Sequence, residues 1–259
     1  MDIYATLVIN NIEEGVNMKR KTLCLAIALL VYVTGVSDYS TTTASAATTQ
    51  TGTNKHIVTS AKTKVTPKRA KQLTSLIPAG WHILEDTDRK PIKAEGDLNK
   101  DGIKDIATII EKNKKGDEAP PRDLLIAFGN KDKTLTLSII AKNVVLKADE
   151  GGVWGDPFDS LVIDRGSVVL SDYGGSNWRW YNKYRFRYQN KDWYLIGLTT
   201  GTYFTGNATM ENADENDYNL LTGDYIQRRT DDKGKVKVTK ENRGKRKLVK
   251  LSKFDLNKF

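Results

Sequence analysis

Between Trp178 and Tyr188 the chain alternates aromatic and basic side chains. Trp180, Tyr184, Phe186 and Tyr188 fall on one side, and Arg179, Lys183, Arg185 and Arg187 on the other. A period of two is the signature of a strand with one face on a core and one toward water. Asn190-Lys-Asp192 then turns the chain into the apolar run 193–198, which predicts a hairpin. The same pattern recurs. Runs 124–128 and 135–140 flank Gly129-Asn-Lys-Asp132, and runs 161–163 and 168–170 flank Asp164-Arg-Gly166. Run 106–110 is a further short strand. Segments 235–239 and 247–251 are expected to close a last hairpin around Asn242-Arg-Gly244. Successive hairpins imply a mainly β (α+β) fold, an antiparallel sheet with one buried face. The α part is a short N-terminal helix starting at Pro67, with Leu73, Leu76 and Ile77 as its apolar stripe, stopped by Pro78-Ala-Gly80.

Ahead of this β-rich part, Met18-Lys-Arg-Lys-Thr precedes an apolar run over 23–36 and the small residues Ala44-Ser-Ala46. That order is a secretory signal peptide. The run is shorter than the roughly 20 apolar residues of a membrane-spanning helix. Segment 1–46 is therefore expected to be a leader, with Met18 as the true start and cleavage after Ala46 or near Gly35. The mature chain is expected in the extracellular or periplasmic, cell-envelope space, without a transmembrane segment. Segment 47–66, rich in Thr, Ala, Ser and Lys, reads as a flexible linker, and 67–259 as the β-rich domain. The single cysteine, Cys24, lies within the leader, and the chain has 2 histidines. Thiol catalysis and sites built on several His or Cys ligands are thereby excluded from the mature chain.

Loop 97–105, Asp97-Leu-Asn-Lys-Asp-Gly-Ile-Lys-Asp105, offers oxygen donors at alternate positions: Asp97, Asn99, Asp101, the carbonyl of Ile103, and Asp105. Gly102 stands where such a loop must turn sharply. Ca²⁺ takes oxygen ligands only, about six to eight of them, and this spacing wraps them around one ion. An EF-hand would carry Glu at the twelfth position; Thr108 stands there, and a strand follows instead of a helix. The motif resembles the calcium loops of FG-GAP and VCBS repeats, in which Asp-x-Asn-x-Asp-Gly-x-x-Asp leads into a strand. A wider likeness is to uncharacterised exported bacterial proteins that carry one such loop. It rests on Ile77-Pro-Ala-Gly-Trp81 with Gly96-Asp-Leu-Asn-Lys-Asp-Gly102, on Tyr184-Arg-Phe-Arg-Tyr-Gln189 with Trp193-Tyr-Leu-Ile-Gly197, and on Tyr218-Asn-Leu-Leu-Thr-Gly223. The resemblance implies export and a calcium-bearing β fold, and no activity. This chain departs from it at Gly174-Gly-Ser-Asn-Trp178, where a histidine is expected.

No nucleophile elbow, phosphate loop or His-Glu-x-x-His pair is present. The reading is a secreted, calcium-stabilised binding or interaction protein. A carboxylate-dependent secreted hydrolase and an exported inhibitor or immunity protein stay open. Two sets of residues are candidates for binding. Trp154, Tyr173 and Trp178, on Gly-rich loops, would form an aromatic rim; Arg179, Lys183, Arg185 and Arg187 would form a positive stripe. The formal net charge is +9, and segment 227–259 alone holds 13 Lys/Arg against 4 Asp/Glu. An anionic glycan or cell-surface polymer, or a protein, is the expected partner. Nucleic acid is not, because no nucleic-acid motif accompanies the charge. The acidic run 211–217 lacks a turn glycine and is expected to be a polar surface loop.

Overall fold

The computed structural model describes residues 72–231 and 233–256. The expected leader, linker and helix start at Pro67 lie outside them. Among the described residues, two antiparallel sheets form. The first comprises β1 (Trp81–Ile83), β2 (Lys93–Gly96), β3 (Asp105–Lys112), β4 (Arg122–Gly129) and β5 (Leu135–Val145), in the order β1-β3-β4-β5 with β2 also paired to β3. The second is a meander of β6 (Phe158–Asp164), β7 (Ser167–Gly175), β8 (Trp178–Gln189), β9 (Asp192–Phe204), β10 (Asp214–Asn219), β11 (Asp224–Thr230) and β12 (Val236–Asn242).

Turn chemistry sets two of these hairpins. Arg165 and Gly166, and likewise Asn190 and Lys191, all have positive φ, between 49° and 67°. Positive φ at both central residues defines the two-residue turn whose twist matches paired strands. The register follows, with Asp164 opposite Ser167 and Gln189 opposite Asp192.

β3 and β4 read as nearly continuous apolar runs, and Ile109, Ile110, Leu124, Leu125, Ile126 and Ala127 are fully buried. A strand pair of that kind needs cover on both faces. Ile110, Leu125 and Ala127 pack against Leu73, Leu76, Ile77 and Trp81. The apolar stripe thus faces the core as expected, but its described part is one 3-10 turn, Leu73–Leu76. The second sheet is joined to the first through Phe128, whose ring meets Tyr188 edge-on at 4.9 Å and Trp193 at 6.2 Å. The indole N–H of Trp193 donates to Ser138 Oγ at 2.9 Å.

In the second sheet, Val168 and Leu170 stand opposite Phe186 and Tyr184 on the apolar face, as the alternation predicts. Two expectations are corrected. Segment 235–239 does not pair with 247–251: β12 pairs with β11, and the chain after Gly244 returns to β9, where Leu195 N–H donates to the Val249 carbonyl at 2.9 Å. The reason is the apolar face, on which the Phe254 ring lies 5.4 Å from both Tyr184 and Phe186. Nor is the acidic run a loop. Its second half is β10, whose carboxylates have partners on β9 and β8: Asp217 accepts from Thr199 Oγ1 at 2.7 Å and Glu215 from Tyr181 at 2.6 Å.

The connection from β5 to β6 crosses between the sheets and is held by a charge cluster. Arg122 is 3% exposed; its guanidinium grips Asp156 through two bonds of 2.7 Å and donates from Nε to Glu111 at 2.8 Å. Burial works against the Arg122 charge, but its bonds to Asp156 and Glu111 outweigh that and raise its pKa. For Asp156, burial pushes upward, and the bonds from Arg122 and the Phe158 amide hold the carboxyl below its ordinary value.

Candidate functional site

Loop 97–105 links β2 to β3 and folds around its own side chains. Asp97 accepts from the Lys100 and Gly102 amides at 2.6 and 3.0 Å. Asn99 Oδ1 accepts from the Asp101 amide at 3.0 Å, and Asp101 Oδ1 from the Ile103 amide at 2.8 Å. Lys100 and Gly102 have φ of 68° and 79°, the left-handed turns that tighten the loop. Gly102 meets this without strain, since it has no Cβ.

Asp105 differs from the others in being fully buried. Its Oδ2 accepts from the Leu98 amide at 2.7 Å and its Oδ1 from the Gly129 amide at 2.9 Å. One carboxylate therefore ties both ends of the loop to the end of β4. Burial pushes the Asp105 carboxyl above its ordinary value; the Leu98 and Gly129 amides oppose the rise, and the Asp101 charge adds to it. The loop also borders the second sheet. A Cβ on Gly96 would come within 2.6 Å of Ile163 Cγ2, and one on Gly166 within 3.6 Å of the Asp97 carbonyl oxygen. The five sequence-predicted ligand positions thus lie where β2, β3, β4 and the β6–β7 turn meet.

The donor set is carboxylate, amide and carbonyl oxygen, the chemistry that Ca²⁺ takes. Among the described residues, no three His, Cys, Asp or Glu side chains converge on one point. The loop carboxylates accept from backbone N–H groups, and Asp101 Oδ2 also from the Asn99 side-chain amide at 3.0 Å, each oxygen keeping lone-pair capacity.

Close packing at this junction gives a direct test. A Cβ on Gly129 would stand 2.2 Å from the Lys104 carbonyl oxygen. Gly129→Ala should therefore push β4 away from the loop and loosen the Asp105 clasp. The expected cost is about 1–3 kcal/mol, read as a lowered urea midpoint with unchanged slope.

The aromatic rim is only partly assembled. Trp154 and Tyr173 meet edge-on at 4.8 Å, and the Arg179 guanidinium lies 4.7 Å from the Trp154 ring centre. Arg179 also donates to the Gly175 carbonyl at 2.9 Å, and the Tyr173 and Tyr203 hydroxyls share a bond of 2.6 Å. Trp178 is not part of this group; strand alternation puts it on the opposite face, with its ring 5.3 Å from Phe204.

The basic stripe is also differentiated. Arg185 pairs with Asp164 at 2.8 Å, and Arg187 donates to Gln189 at 3.2 Å. Lys183 is exposed and makes no ion pair among the described residues. Beside it runs a groove of about 450 Å³, lined by Val169, Tyr173, Tyr181, Lys183, Glu215 and Arg228 among others. Tyr181, Glu215 and Arg228 escape a reading of the sequence that looks for motifs. The signal for Tyr181 is present, because period two puts it on the face of Arg179 and Lys183. Its partners come from β10 and β11, and no local pattern names them.

No protein-family model matches the chain, and neither a curated protein nor a solved structure matches it. No helix among the described residues is long and apolar enough to cross a membrane.

Proposed function

We propose that this chain is a calcium-stabilised binding protein of the extracellular or cell-envelope space. Ca²⁺ would be held by Asp97, Asn99, Asp101, the Ile103 carbonyl and Asp105. The observation that carries this reading is the position of the loop: five oxygen donors at alternating positions stand at the junction of the two sheets, with the last one buried. The ion would neutralise a carboxylate that burial alone disfavours and would fix β2 against β3 and β4. Because it would bind the folded chain only, it would stabilise that state by mass action. The Asp97 and Asp101 side chains would exchange backbone N–H partners for the ion. The leader-like segment 1–46 supports export, and the Trp154–Tyr173–Arg179 group supports binding on the second sheet.

A hydrolase would need two facing carboxylates free to act as acid and base. Four carboxylates line the groove: Asp164 and Glu215 are ion-paired, with Arg185 and with Arg228, whereas Asp159 and the buried Asp172 make no ion pair among the described residues.

Thermal unfolding tests the calcium reading. At a hundredfold excess over its dissociation constant, Ca²⁺ should stabilise the fold by about 2.7 kcal/mol relative to chelator, a rise of roughly 5–10 °C for a domain of this size. Asp101→Ala, at an exposed position, should remove most of that rise while leaving the chelator curve nearly unchanged. Equal melting with calcium and chelator would end this reading.

A further inference from the structure

β12 ends the second sheet, with β11 on one side and, among the described residues, no strand on the other. Register and two bonds fix which of its backbone groups are used. Asp231 N–H donates to the Lys235 carbonyl at 3.0 Å, and Arg243 N–H to the Gly223 carbonyl at 2.8 Å. Hydrogen-bonded and non-bonded pairs alternate along an antiparallel ladder. Lys237, Thr239 and Glu241 therefore bond to β11, while Val236, Val238, Lys240 and Asn242 point their amides and carbonyls along the open edge. Every residue of β12 except Thr239 is exposed.

An open edge is a template for another strand. This one carries two further features. On one face, Val236 and Val238 are 41% and 52% exposed, and Ile226, opposite Lys240, is 37% exposed. Exposed β-branched side chains are suited to cross-strand pairing. Around them, segment 231–247 holds 8 Lys/Arg against 3 Asp/Glu. Asp231 is taken up by the turn, accepting from the Lys233 and Lys235 amides at 2.9 and 2.8 Å, and Glu241 by Arg243 at 3.1 Å. Lys233, Lys235, Lys237 and Lys240 make no ion pair among the described residues. Edge lysines of this kind oppose pairing with a second copy of the same strand, and the same charge favours an acidic one.

We propose that the β12 edge binds an extended acidic polypeptide segment by strand addition. The segment pairs with the outward amides and carbonyls of Val236, Val238, Lys240 and Asn242. It lays β-branched residues beside Val236, Val238 and Ile226 and presents carboxylates to the lysines. This rests on the reading of the chain as a binding protein and names the class of its partner; it does not require an occupied calcium loop.

The test is a calorimetric titration of the full chain with the end-capped peptide Asp-Glu-Val-Thr-Val-Thr-Val-Glu-Asp. The comparison peptide has the same charges and a proline at the central valine. The first should bind saturably and at least about tenfold more tightly than the second, which cannot complete the ladder. Val238→Pro removes an outward amide and none that faces β11. Checked for an unchanged melting curve, it should weaken the first peptide about tenfold, the effect of one lost hydrogen bond. If that variant melts early, the proline peptide makes the same test from the other side. Reversing Lys237→Glu together with Lys240→Glu leaves the edge open and should weaken the first peptide at least as much. No saturable binding overturns the proposal. Equal affinity for the two peptides also does, because the attraction is then diffuse surface charge, as does full affinity in both variants. Self-association of the wild-type chain that Val238→Pro abolishes makes a second copy the occupant and overturns the acidic assignment. Binding of polygalacturonate, undiminished in Val238→Pro, without binding of the peptide assigns the lysines to a polyanion; strand addition then fails and the binding-protein reading stands. Melting with calcium and with chelator does not involve β12 and decides the calcium reading separately.

Discussion

Arg122→Met is expected to lower the unfolding free energy by about 3–5 kcal/mol, the usual effect of removing one partner from a buried ion cluster. The guanidinium is 3% exposed and serves three acceptors: Glu111 on β3, Asp156 in the connection to the second sheet, and, at 3.5 Å, the Leu146 carbonyl. Methionine fills much of the volume, so packing is not the main loss. What remains is Glu111, 15% exposed, without its cation, and a crossing connection no longer anchored by Asp156. Asp156→Ala should cost less, because the Asp156 side chain is 46% exposed and Arg122 keeps Glu111. The ordering Arg122→Met above Asp156→Ala, measured by urea unfolding, is the discriminating result. Equal small losses in both would mean that the cluster is solvated and that the sheets are held by their other contacts, those of Phe128 and the Trp193–Ser138 bond among them. Changing Arg122, Glu111 and Asp156 together to apolar residues should recover much of the loss, since the uncompensated charge is then gone.

What could be read in the sequence was what depends on neighbours in the chain. The hairpins at Arg165-Gly166 and Asn190-Lys191 follow from Gly166 and Asn190, which accept positive φ, and from flanking alternation. The apolar face of β8 follows from its period of two. The loop 97–105 is a local motif, so its donors were all visible before any contact was known. The β12 pairing departs from the sequence expectation because Asn242-Arg-Gly244 is a good turn in isolation. The competing attraction, Phe254 seated on Tyr184 and Phe186, joins residues some 70 positions apart. The acidic run had the composition of a loop, and its strand character comes from Tyr181 and Thr199 on other strands. Trp178 and Trp154 both sit beside glycines, but the parity of a strand separates their faces. The cluster at Arg122 and the Tyr181–Glu215–Arg228 contact share one feature: every partner is supplied by register across the sheet or by a crossing connection. Composition shows that charges exist, and topology decides which of them meet.

Asp172 should make the stability of this protein fall with rising pH. It lies on β7 opposite Asn182 and Phe158, is 1% exposed, and neither of its carboxylate oxygens has a hydrogen-bond partner. Burial pushes its pKa up to about 7, and the charges of Asp159 and Glu150 add to the rise. The neighbouring Tyr184 hydroxyl is pushed up as well, first by burial and then by the Asp172 charge, so it remains neutral and offers no countercharge. The folded chain therefore holds this proton to about pH 7, whereas the unfolded chain releases it near 3.8. The contribution is complete below the unfolded value and declines by about 1.4 kcal/mol per pH unit through the interval. It is lost once pH passes the folded value, after a total of about 4 kcal/mol. Asp172→Asn removes the titration and keeps the shape. Its amide also lacks partners, an offset that does not vary with pH. The expected result is a gain of the variant over wild type that grows by roughly 3 kcal/mol between about pH 5 and pH 8. Urea unfolding of both chains at the two pH values measures it, and parallel profiles would mean that water or a cation reaches Asp172 in solution. A buried carboxyl without a partner is tolerated while it carries a proton, so the region around β7 is most secure in mildly acidic surroundings.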